Sequence, residues 1–482
     1  MFQAKSNIHS LFFSCVLFCL SLFTVSLLAQ GVHYQEAAHK AEEEKKQLSA
    51  AEKKINYTLL QKIKKMTKEN AREKAGTEAM IEEYSNDMIQ VDRDGRIYVE
   101  IYLRRNIPKT MMDRITERIK SVDGKIVNTN YPKAYINWMP EIFAWVPFDK
   151  MEEIAGDSLI TNIKMVVKPI VRIGDFTTPG DTQLKAQQAR SKFGVDGSGV
   201  KVGVISNGID HWLNSSPSGD LPPQITHTNQ YSVGDEGTAM LEIVYDIAPG
   251  ADLYFAGHGT NVSEMESAVA SLFENPNSCN IVVDDVGWPD QPYFEDNSLS
   301  QTISYYIFSE NKTYISACGN DGELAWGGMF RDGGGGWHAW DYDGTWYHTD
   351  NKVNVEDGKR LEIYLQWADE WDNAQSDYDL YLVDANGNTI MQGSGVSSQP
   401  LETIFYTHSG ANTDYYIKVK KVNGPDLELK LITYTRDYSL TLQYIGLHKT
   451  LSLVMATHEF RNERPDKPDF IFLSGTVGSE SH

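Results

Sequence analysis

Cysteine is scarce in this chain, and its scarcity excludes two classes of protein. The 482 residues include four cysteines, of which Cys15 and Cys19 fall in an apolar stretch near the N-terminus. The other two, Cys279 and Cys318, are too few for a disulfide framework, and their spacing is not that of a zinc or iron–sulfur site. The sequence leaves open whether these two thiols are free or joined by one bridge.

Positive charge is the second shortage. The chain has 44 lysines and arginines against 66 aspartates and glutamates, a formal net charge of -22. Proteins that bind nucleic acid carry clustered Lys and Arg that neutralise phosphates. We therefore expect no nucleic-acid partner, and we attribute the acidity to a well-solvated surface.

Long apolar runs are absent after residue 28. The one such run, over residues 11–28, follows Lys5 and precedes Ala29 and a polar region, which is the order of a secretory signal peptide. Leu27 is large for the position it would hold before the cleavage site, so an uncleaved anchor is the alternative. The sequence predicts a signal peptide over residues 1–29, a secreted or periplasmic protein, and no stable membrane embedding beyond this leader.

Two predicted units follow the leader. Residues 30–85 are dense in Glu, Lys and Ala with apolar residues at irregular helical spacing, which predicts a solvated, charged helical segment. Residues 86–172 alternate strand-like and helical stretches in the order βαββαβ, with a helix over 108–122 and a last strand over 163–171. That order predicts a ferredoxin-like α+β domain.

Polar residues follow three apolar stretches in residues 173–324. The strand-like VGVI (202–205) leads into Ser206 and Asn207, the turn DEGTAMLE (235–242) opens a helix, and a strand over 315–319 ends at Asn320. Strand ends of this kind are where an open parallel α/β sheet builds its site. The pattern predicts a doubly wound parallel sheet over residues 173–324.

Two of these motifs resemble known peptidases. The stretch VDGSGVKVGVISNGID (195–210) resembles the start of the catalytic domain of subtilisin-like serine peptidases. Glu236-Gly237-Thr238 stands twelve residues before an Ala-Pro-Gly-Ala turn, as the catalytic Glu does in the related sedolisins. The resemblance, which covers residues 194–321, implies a polypeptide substrate. It also implies that residues 86–172 are similar to a folding-assisting prosegment, whose last strand would occupy the substrate cleft.

The resemblance assigns roles position by position. Glu236 takes the place of the catalytic base, Asn320 that of the oxyanion-hole amide, and Asn207 a place where some relatives carry the acid. The strand IVVDDVG (281–287) resembles the family's substrate-flanking strand, which makes Asp285 and Gly287 candidate substrate-binding residues. No metal ligand is implied.

The nucleophile of the family is the residue that the sequence does not provide. Val477 stands where the motif Gly-Thr-Ser would place its serine, so residues 446–482 are interpreted as a remnant of the second half of the core. The fold expected is therefore a truncated subtilisin-like core. Two functions stay open: a secreted serine endopeptidase, or a non-catalytic, peptidase-derived protein or truncated product.

Residues 325–445 contain evenly spaced short strands separated by turns such as Asn386-Gly387, which predicts an inserted β-sandwich. The stretch SDYDLYLVDANGN (376–388) resembles the small prepeptidase C-terminal domains of bacterial secreted peptidases. Asp377, Asp379 and Asp384 are candidate Ca²⁺ ligands or, alternatively, turn formers; no other cofactor is expected. The tryptophans of this region either pack in the core or form an adhesion or glycan-binding surface: Trp326, Trp337, Trp340 and Trp346.

Overall fold

The structure is a computed structural model that describes residues 37–86, 88–131, 139–167, 170–171, 180–216, 219–228, 233–317, 324–434 and 442–443. The predicted leader (1–29) and the predicted core remnant (446–482) lie outside these residues. The described part is a mixed α/β protein with both parallel and antiparallel sheets. None of its helices is long and apolar enough to cross a membrane.

The N-terminal segment is helical and mostly packed rather than solvated. Its helices are α1 (37–47), α2 (Tyr57–Lys68) and α3 (Glu78–Tyr84), with short 3₁₀ turns at Glu52–Lys54 and Ala71–Lys74. Asn56 caps α2, because its Oδ1 accepts a hydrogen bond from the backbone N–H of Leu59 at 3.3 Å. Four of its side chains are fully buried, so the prediction of a solvated helical segment is wrong: Leu59, Met66, Met80 and Tyr84.

The next unit has the predicted order of elements. Its strands and helices are β1 (Arg96–Leu103), α4 (Lys109–Ser121), β2 (Lys125–Asn130), β3 (Glu141–Pro147), α5 (Met151–Ala155) and β4 (Ile160–Met165). The sheet is antiparallel in the order β2-β3-β1-β4, a split βαβ arrangement. The last strand is shorter than predicted: β4 ends at Met165, and Ile170–Val171 forms a separate strand, β5.

A parallel sheet forms the third unit. Its strands run β11-β9-β6-β8-β7, all parallel. They are β6 (Lys201–Ser206), β7 (Thr226–His227), β8 (Asp252–Gly257), β9 (Ile281–Asp284) and β11 (Thr313–Ser316), and β10 (Val286–Gly287) extends past the end of β9. The helices are α6 (Gly180–Gln183), α7 (Ala186–Phe193), α8 (Trp212–Ser215), α9 (Glu236–Ile247), α10 (Val262–Phe273) and α11 (Ser298–Ser309).

Helices cover both faces of this parallel sheet. Side chains of a strand alternate between faces, and Val204 packs with Leu241 of α9 in one apolar cluster. The neighbouring Ile205 packs in a second cluster with Met265 of α10 and Ile303 of α11. The doubly wound arrangement follows from this division of the apolar residues.

The fourth unit is a sandwich of two antiparallel sheets. One sheet has the order β12-β21-β16-β19 and the other β15-β20-β17-β18. The strands are β12 (Ala325–Met329), β13 (Asp341–Tyr342), β14 (Tyr347–His348), β15 (Asn351–Val355), β16 (Arg360–Trp367), β17 (Asp377–Val383), β18 (Thr389–Gly393), β19 (Leu401–Thr407), β20 (Thr413–Asn423) and β21 (Glu428–Tyr434). Strands β13 and β14 form a separate hairpin.

The sandwich shares its packing with the N-terminal units. Tyr364, Leu401 and Ile432 belong to the same apolar cluster as Met80 and the split βαβ domain. Polar contacts reinforce this union, since the Lys45 ammonium of α1 lies 2.7 Å from an Asp377 carboxylate oxygen and 2.5 Å from one of Asp379. The N-terminal helices, the split βαβ domain and the sandwich therefore form one packed body.

Candidate functional site

The parallel sheet changes direction of winding at β6. In the sheet, β8 and β7 lie on one side of β6, and β9 and β11 lie on the other. In open α/β sheets the crevice outside the carboxyl ends of the strands at such a point is where ligands bind. Ser206 is the last residue of β6, and Asn207 follows it. Asp284 is the last residue of β9, and Asp285 follows it.

Asp285 is held across this point by the end of β6. The Ser206 hydroxyl donates a hydrogen bond to Asp285 Oδ2 at 3.1 Å. Both side chains are buried, with Asp285 5% exposed. Asp285 Oδ1 has no hydrogen-bond partner among the described residues. A buried carboxyl oxygen of this kind is costly as an anion, and it favours the protonated form.

Asn207 positions Glu236. Asn207 Oδ1 accepts a hydrogen bond from the backbone N–H of Glu236 at 3.1 Å, at the first residue of α9. The Val233 N–H donates to the Asn207 carbonyl at 2.9 Å, so the two loops lie side by side. Gly234 between them adopts a φ of +113° and passes so close to the Asn207 amide that no Cβ would fit. Asn207 thus binds the start of a helix, a task that needs an acceptor oxygen and no charge.

Glu236 and Asp285 act on each other electrostatically. Burial, opposed by the hydrogen bond from Ser206 and assisted by the charges of Asp284 and Glu236, raises the pKa of Asp285 to about 7. One helical turn after Glu236 the chain has Met240, so that position of the helix carries no like-charged neighbour. The neighbour is instead Asp285, on a strand that follows much later in the chain.

Asp284, the other member of the Asp-Asp pair, has a structural role. Its Oδ1 accepts hydrogen bonds from the Val286 N–H at 3.0 Å and from the Ser316 hydroxyl at 3.1 Å. These bonds join β9, β10 and β11 at the sheet edge. Asp285, the next residue, accepts a hydrogen bond from the Ser206 hydroxyl and is affected by the charge of Glu236.

The candidate substrate strand already has a neighbour from the chain itself. Val286 and Gly287 pair antiparallel with Val171 and Ile170. Residues 170–171 therefore pair with the strand that directly follows Asp285. The resemblance to a prosegment implies that the last strand of residues 86–172 occupies the substrate cleft. The strand that pairs here is Ile170–Val171, whereas the last strand was predicted over 163–171.

The structure does not place the candidate oxyanion amide, because Asn320 lies outside the described residues. Cys318 lies outside them too, and Cys279 is a buried free thiol. Ser206 is not a carboxylate and was not predicted as a site residue. Its position at the end of β6 is the feature of the sequence that points to the site. An exposed pair, His211 and Asp235, lies on the same two loops as Asn207 and Glu236.

The candidate calcium residues hold a lysine. Asp377 and Asp379 flank the Lys45 ammonium, and Asp384 accepts hydrogen bonds from the Asn386 and Asn388 N–H groups of its own turn. Within the described ranges, no group of three or more His, Cys, Asp or Glu side chains is arranged to hold a metal ion. Calcium binding stays a prediction.

The sandwich tryptophans divide into packed and exposed residues. Trp326 and Trp340 are 7% and 6% exposed, and their rings contact each other edge to face at a centroid distance of 5.2 Å. Trp337 packs against Tyr381. Trp346, by contrast, is 71% exposed. Core packing therefore describes Trp326 and Trp340, whereas the exposed Trp346 leaves a ligand-binding surface open as the alternative.

Comparisons with known proteins return distant structural likenesses. No family model matches the chain, and no curated protein matches it. Among solved structures, the chain is similar to the CspB protease of Clostridium perfringens, with 12% identity and a TM-score of 0.34, over 52% of this chain and 64% of that one. It is also similar to the epidermin leader peptide processing serine protease EpiP of Staphylococcus aureus, with 13% identity and a TM-score of 0.29, over 47% and 62%.

A third likeness is to a smaller domain. It is to the prepeptidase C-terminal domain of a collagenase from Bacillus anthracis, with 14% identity and a TM-score of 0.16, over 23% of this chain and 89% of that one. The matched regions span less than two thirds of the CspB and EpiP chains. Two of these three neighbours are proteases, and one of the two is described as a serine protease, but TM-scores this low decide neither fold nor activity for this chain.

Proposed function

We propose that this chain is a secreted or periplasmic protein with a subtilisin-type peptidase core that binds polypeptide as an extended strand along Val286–Gly287. The observation that carries the proposal is the backbone pairing of Ile170–Val171 with Val286–Gly287, next to Asp285 at the winding change of a parallel sheet. An extended segment that adds to a sheet edge gains main-chain hydrogen bonds whatever its sequence, which suits a polypeptide ligand.

The proposal includes self-occupancy of the cleft. Ile170–Val171 takes the place that a polypeptide substrate would need, so binding requires its displacement. The body that precedes this segment is packed to the sandwich through a shared apolar cluster. The occupying strand is therefore tethered at high effective concentration, and free polypeptide competes poorly with it.

Proline substitutions test this competition. Ile170→Pro together with Val171→Pro removes two backbone N–H groups and disfavours the pairing. Adjacent N–H groups of an antiparallel strand point to opposite sides, so one ladder hydrogen bond of about 0.5–1.5 kcal/mol is lost. The affinity for fluorescein-labelled casein, measured by fluorescence polarisation, is therefore expected to rise about two- to tenfold.

The matched control is Ile170→Ala with Val171→Ala, which keeps both N–H groups and should change casein affinity far less than the proline pair. The proposal fails if the proline variant, with an unchanged thermal unfolding midpoint, binds casein no better than the parent chain. It fails also if the two double variants behave alike.

A second candidate function is glycan binding by the sandwich, and one observation favours it. The hairpin of β13 and β14 exposes three aromatic rings: Tyr342 is 46% exposed, Trp346 71% and Tyr347 48%. The two tyrosine rings contact each other at a centroid distance of 4.7 Å with their planes tilted by 35°. Asp343 Oδ1 fixes the turn by accepting from the Thr345 and Trp346 N–H groups, each at 2.8 Å. A rigid aromatic platform beside carboxylates suits the apolar face and hydroxyls of a sugar.

Trp346→Ala tests the glycan candidate. The loss of one aromatic contact of about 1–1.5 kcal/mol should weaken binding of the full chain to any glycan found on an array by roughly tenfold. Phe193→Ala is the matched control, since Phe193 is 67% exposed on α7. An array on which the parent chain binds nothing, or binding that survives Trp346→Ala unchanged, removes this candidate.

A further inference from the structure

A cleft lies where three units of the chain meet, away from Asp285 and Val286–Gly287. Its wall includes Tyr102 and Arg105 near the end of β1, Glu141 at the start of β3, part of the loop before α11, and Trp371 of the sandwich. The cleft encloses about 450 Å³, including the space at its mouth. Cavities of a few hundred Å³ suit small organic molecules or single side chains. We propose that this junction cleft binds a primary ammonium group on a short apolar stem.

The wall contains a buried carboxyl group with an unused oxygen. Glu141 is 6% exposed, and its Oε2 accepts a hydrogen bond from Asn130 Nδ2 at 3.4 Å. Its Oε1 has no hydrogen-bond partner among the described residues. A buried polar atom without a partner costs free energy, so a donor that enters the cleft would be stabilised there. An ammonium group brings three donors and a charge opposite to that of a carboxylate.

Carboxyl groups outnumber cations in the wall. Glu141, Glu295 and Asp296 belong to it, against the guanidinium of Arg105. Arg105 is already engaged, because it donates to the Trp371 carbonyl at 3.1 Å while the Trp371 N–H donates to Glu295 Oε1 at 2.6 Å. This bridge brings the guanidinium and the Glu295 carboxyl to the same residue. The two other wall carboxyl groups have no salt bridge within the described part of the chain, and a cationic ligand would supply one.

Two rings of the wall already accept an ammonium group of the chain itself. The Lys164 ammonium lies 5.4 Å from the centre of the Tyr102 ring and 5.9 Å from that of Trp371. Aromatic rings attract cations over such distances. Both rings also line the cleft, together with the apolar side chains of Met139 and Pro292. The wall thus combines carboxyl groups for an ammonium with apolar surface for a methylene stem.

Binding should strengthen as the pH rises. Burial, assisted by the charges of Glu100 and Glu266 and opposed by that of Lys164, raises the pKa of Glu141 well above its ordinary range. The neutral acid is a poorer partner for an ammonium than the carboxylate, so binding of the cation releases a proton. The other charged groups of the wall share the cleft with it: Arg105, Glu295 and Asp296.

The test is isothermal titration calorimetry of the full chain with pentylamine. Saturable binding at one site is expected, whereas pentanol, which lacks the charge, and pentanoate, which reverses it, should not bind. Glu141→Gln keeps the shape of the side chain and is expected to lower the affinity about tenfold or more. Glu117→Gln is the matched control, because Glu117 is 71% exposed on α4, and it should leave the affinity unchanged.

The pH dependence gives a readout that a structural role of Glu141 would not move. The affinity of the parent chain is expected to rise about threefold or more between about pH 6 and about pH 8, where pentylamine itself stays charged. The measured enthalpy should also differ between phosphate and Tris buffers, since the released proton is taken up by the buffer. Glu141→Gln should abolish both effects.

Two further probes distinguish the sources of such a group. Cadaverine represents free amines, and Nα-acetyl-lysine methylamide represents a lysine side chain of a polypeptide. Tighter binding of cadaverine assigns the cleft to free amines, and tighter binding of the lysine derivative assigns it to polypeptide lysines. Either result supports an ammonium site.

Several outcomes would overturn the proposal. Pentanol that binds as tightly as pentylamine would show selection of the apolar stem alone, and displacement of pentylamine by an equal concentration of Ca²⁺ would show a metal site. If Glu141→Gln does not fold, Asp296→Asn decides, because Asp296 is half-buried. Affinity within twofold of the parent chain in every folded variant rejects the site. Absence of binding by all the amines rejects it too, and leaves the proposed binding of polypeptide unaffected.

Discussion

Replacing Lys164 with methionine is expected to lower the free energy of unfolding by about 3–5 kcal/mol at neutral pH. Lys164 is 2% exposed, and its ammonium lies 2.8 Å from Asp290 Oδ2 and 3.3 Å from Glu100 Oε2. Burial alone would lower the pKa of Lys164, but the charges of Asp290 and Glu100 reverse this and raise it. Without the ammonium, two buried carboxyl groups are left with no cation to offset their desolvation.

The position of this ion cluster makes the effect large. Lys164 and Glu100 belong to the split βαβ domain, whereas Asp290 follows β10 in the parallel-sheet unit, and Lys164 also donates to the Asp290 carbonyl at 3.1 Å. The cluster joins the tethered domain to the candidate site. The loss is measured by urea unfolding, and a second substitution, Asp290→Asn, should recover part of it by removing one unpaired charge.

Lys109→Met provides the control for that measurement. Lys109 pairs with Asp113 on the exposed face of α4, where the two side chains are 60% and 51% exposed. Exposed pairs contribute about 0–1 kcal/mol, so this variant should stay close to the parent chain. A loss for Lys164→Met no larger than that for Lys109→Met would show that the buried cluster does not hold the units together.

The sequence was sufficient for features that repeat along a strand or helix. The apolar stretch that ends at Ser206 and the helix that starts at Glu236 were found because buried parallel strands and helix starts have local patterns. Those patterns also predicted that polar residues would gather at one sheet edge. The structure places Asn207, Glu236 and Asp285 there, while their roles stay predictions.

Contacts between distant parts of the chain could not be predicted in this way. Lys45 lies in a stretch rich in Lys and Glu that is typical of a solvated helix, yet its partner Asp379 is 334 residues away. A single lysine carries no sign of a buried acceptor. The same holds for Glu236, because the carboxyl group that its charge affects belongs to Asp285, which directly follows β9 and is not on the next turn of its own helix.

The free energy of unfolding is also expected to fall by several kcal/mol as the pH rises from about 4 to about 7. Burial raises the pKa of Glu266, of Asp372 and of Asp285 to about 7 in each case. In the unfolded chain such groups titrate near pH 4. Between these values the folded state binds more protons than the unfolded state, so stability is present at the acidic end and is lost as the pH rises through the folded pKa.

Urea unfolding at pH 5 and pH 8 measures this dependence, and Glu266→Gln identifies its source. Glu266 accepts a hydrogen bond from Asn130 at 3.2 Å and another from Ser298, so the neutral amide can replace the protonated acid at small cost. One pKa unit corresponds to about 1.4 kcal/mol, and the variant should therefore flatten the difference between the two pH values by a measurable share. Equal stability at both pH values in the parent chain would mean that these carboxyl groups are hydrated in solution.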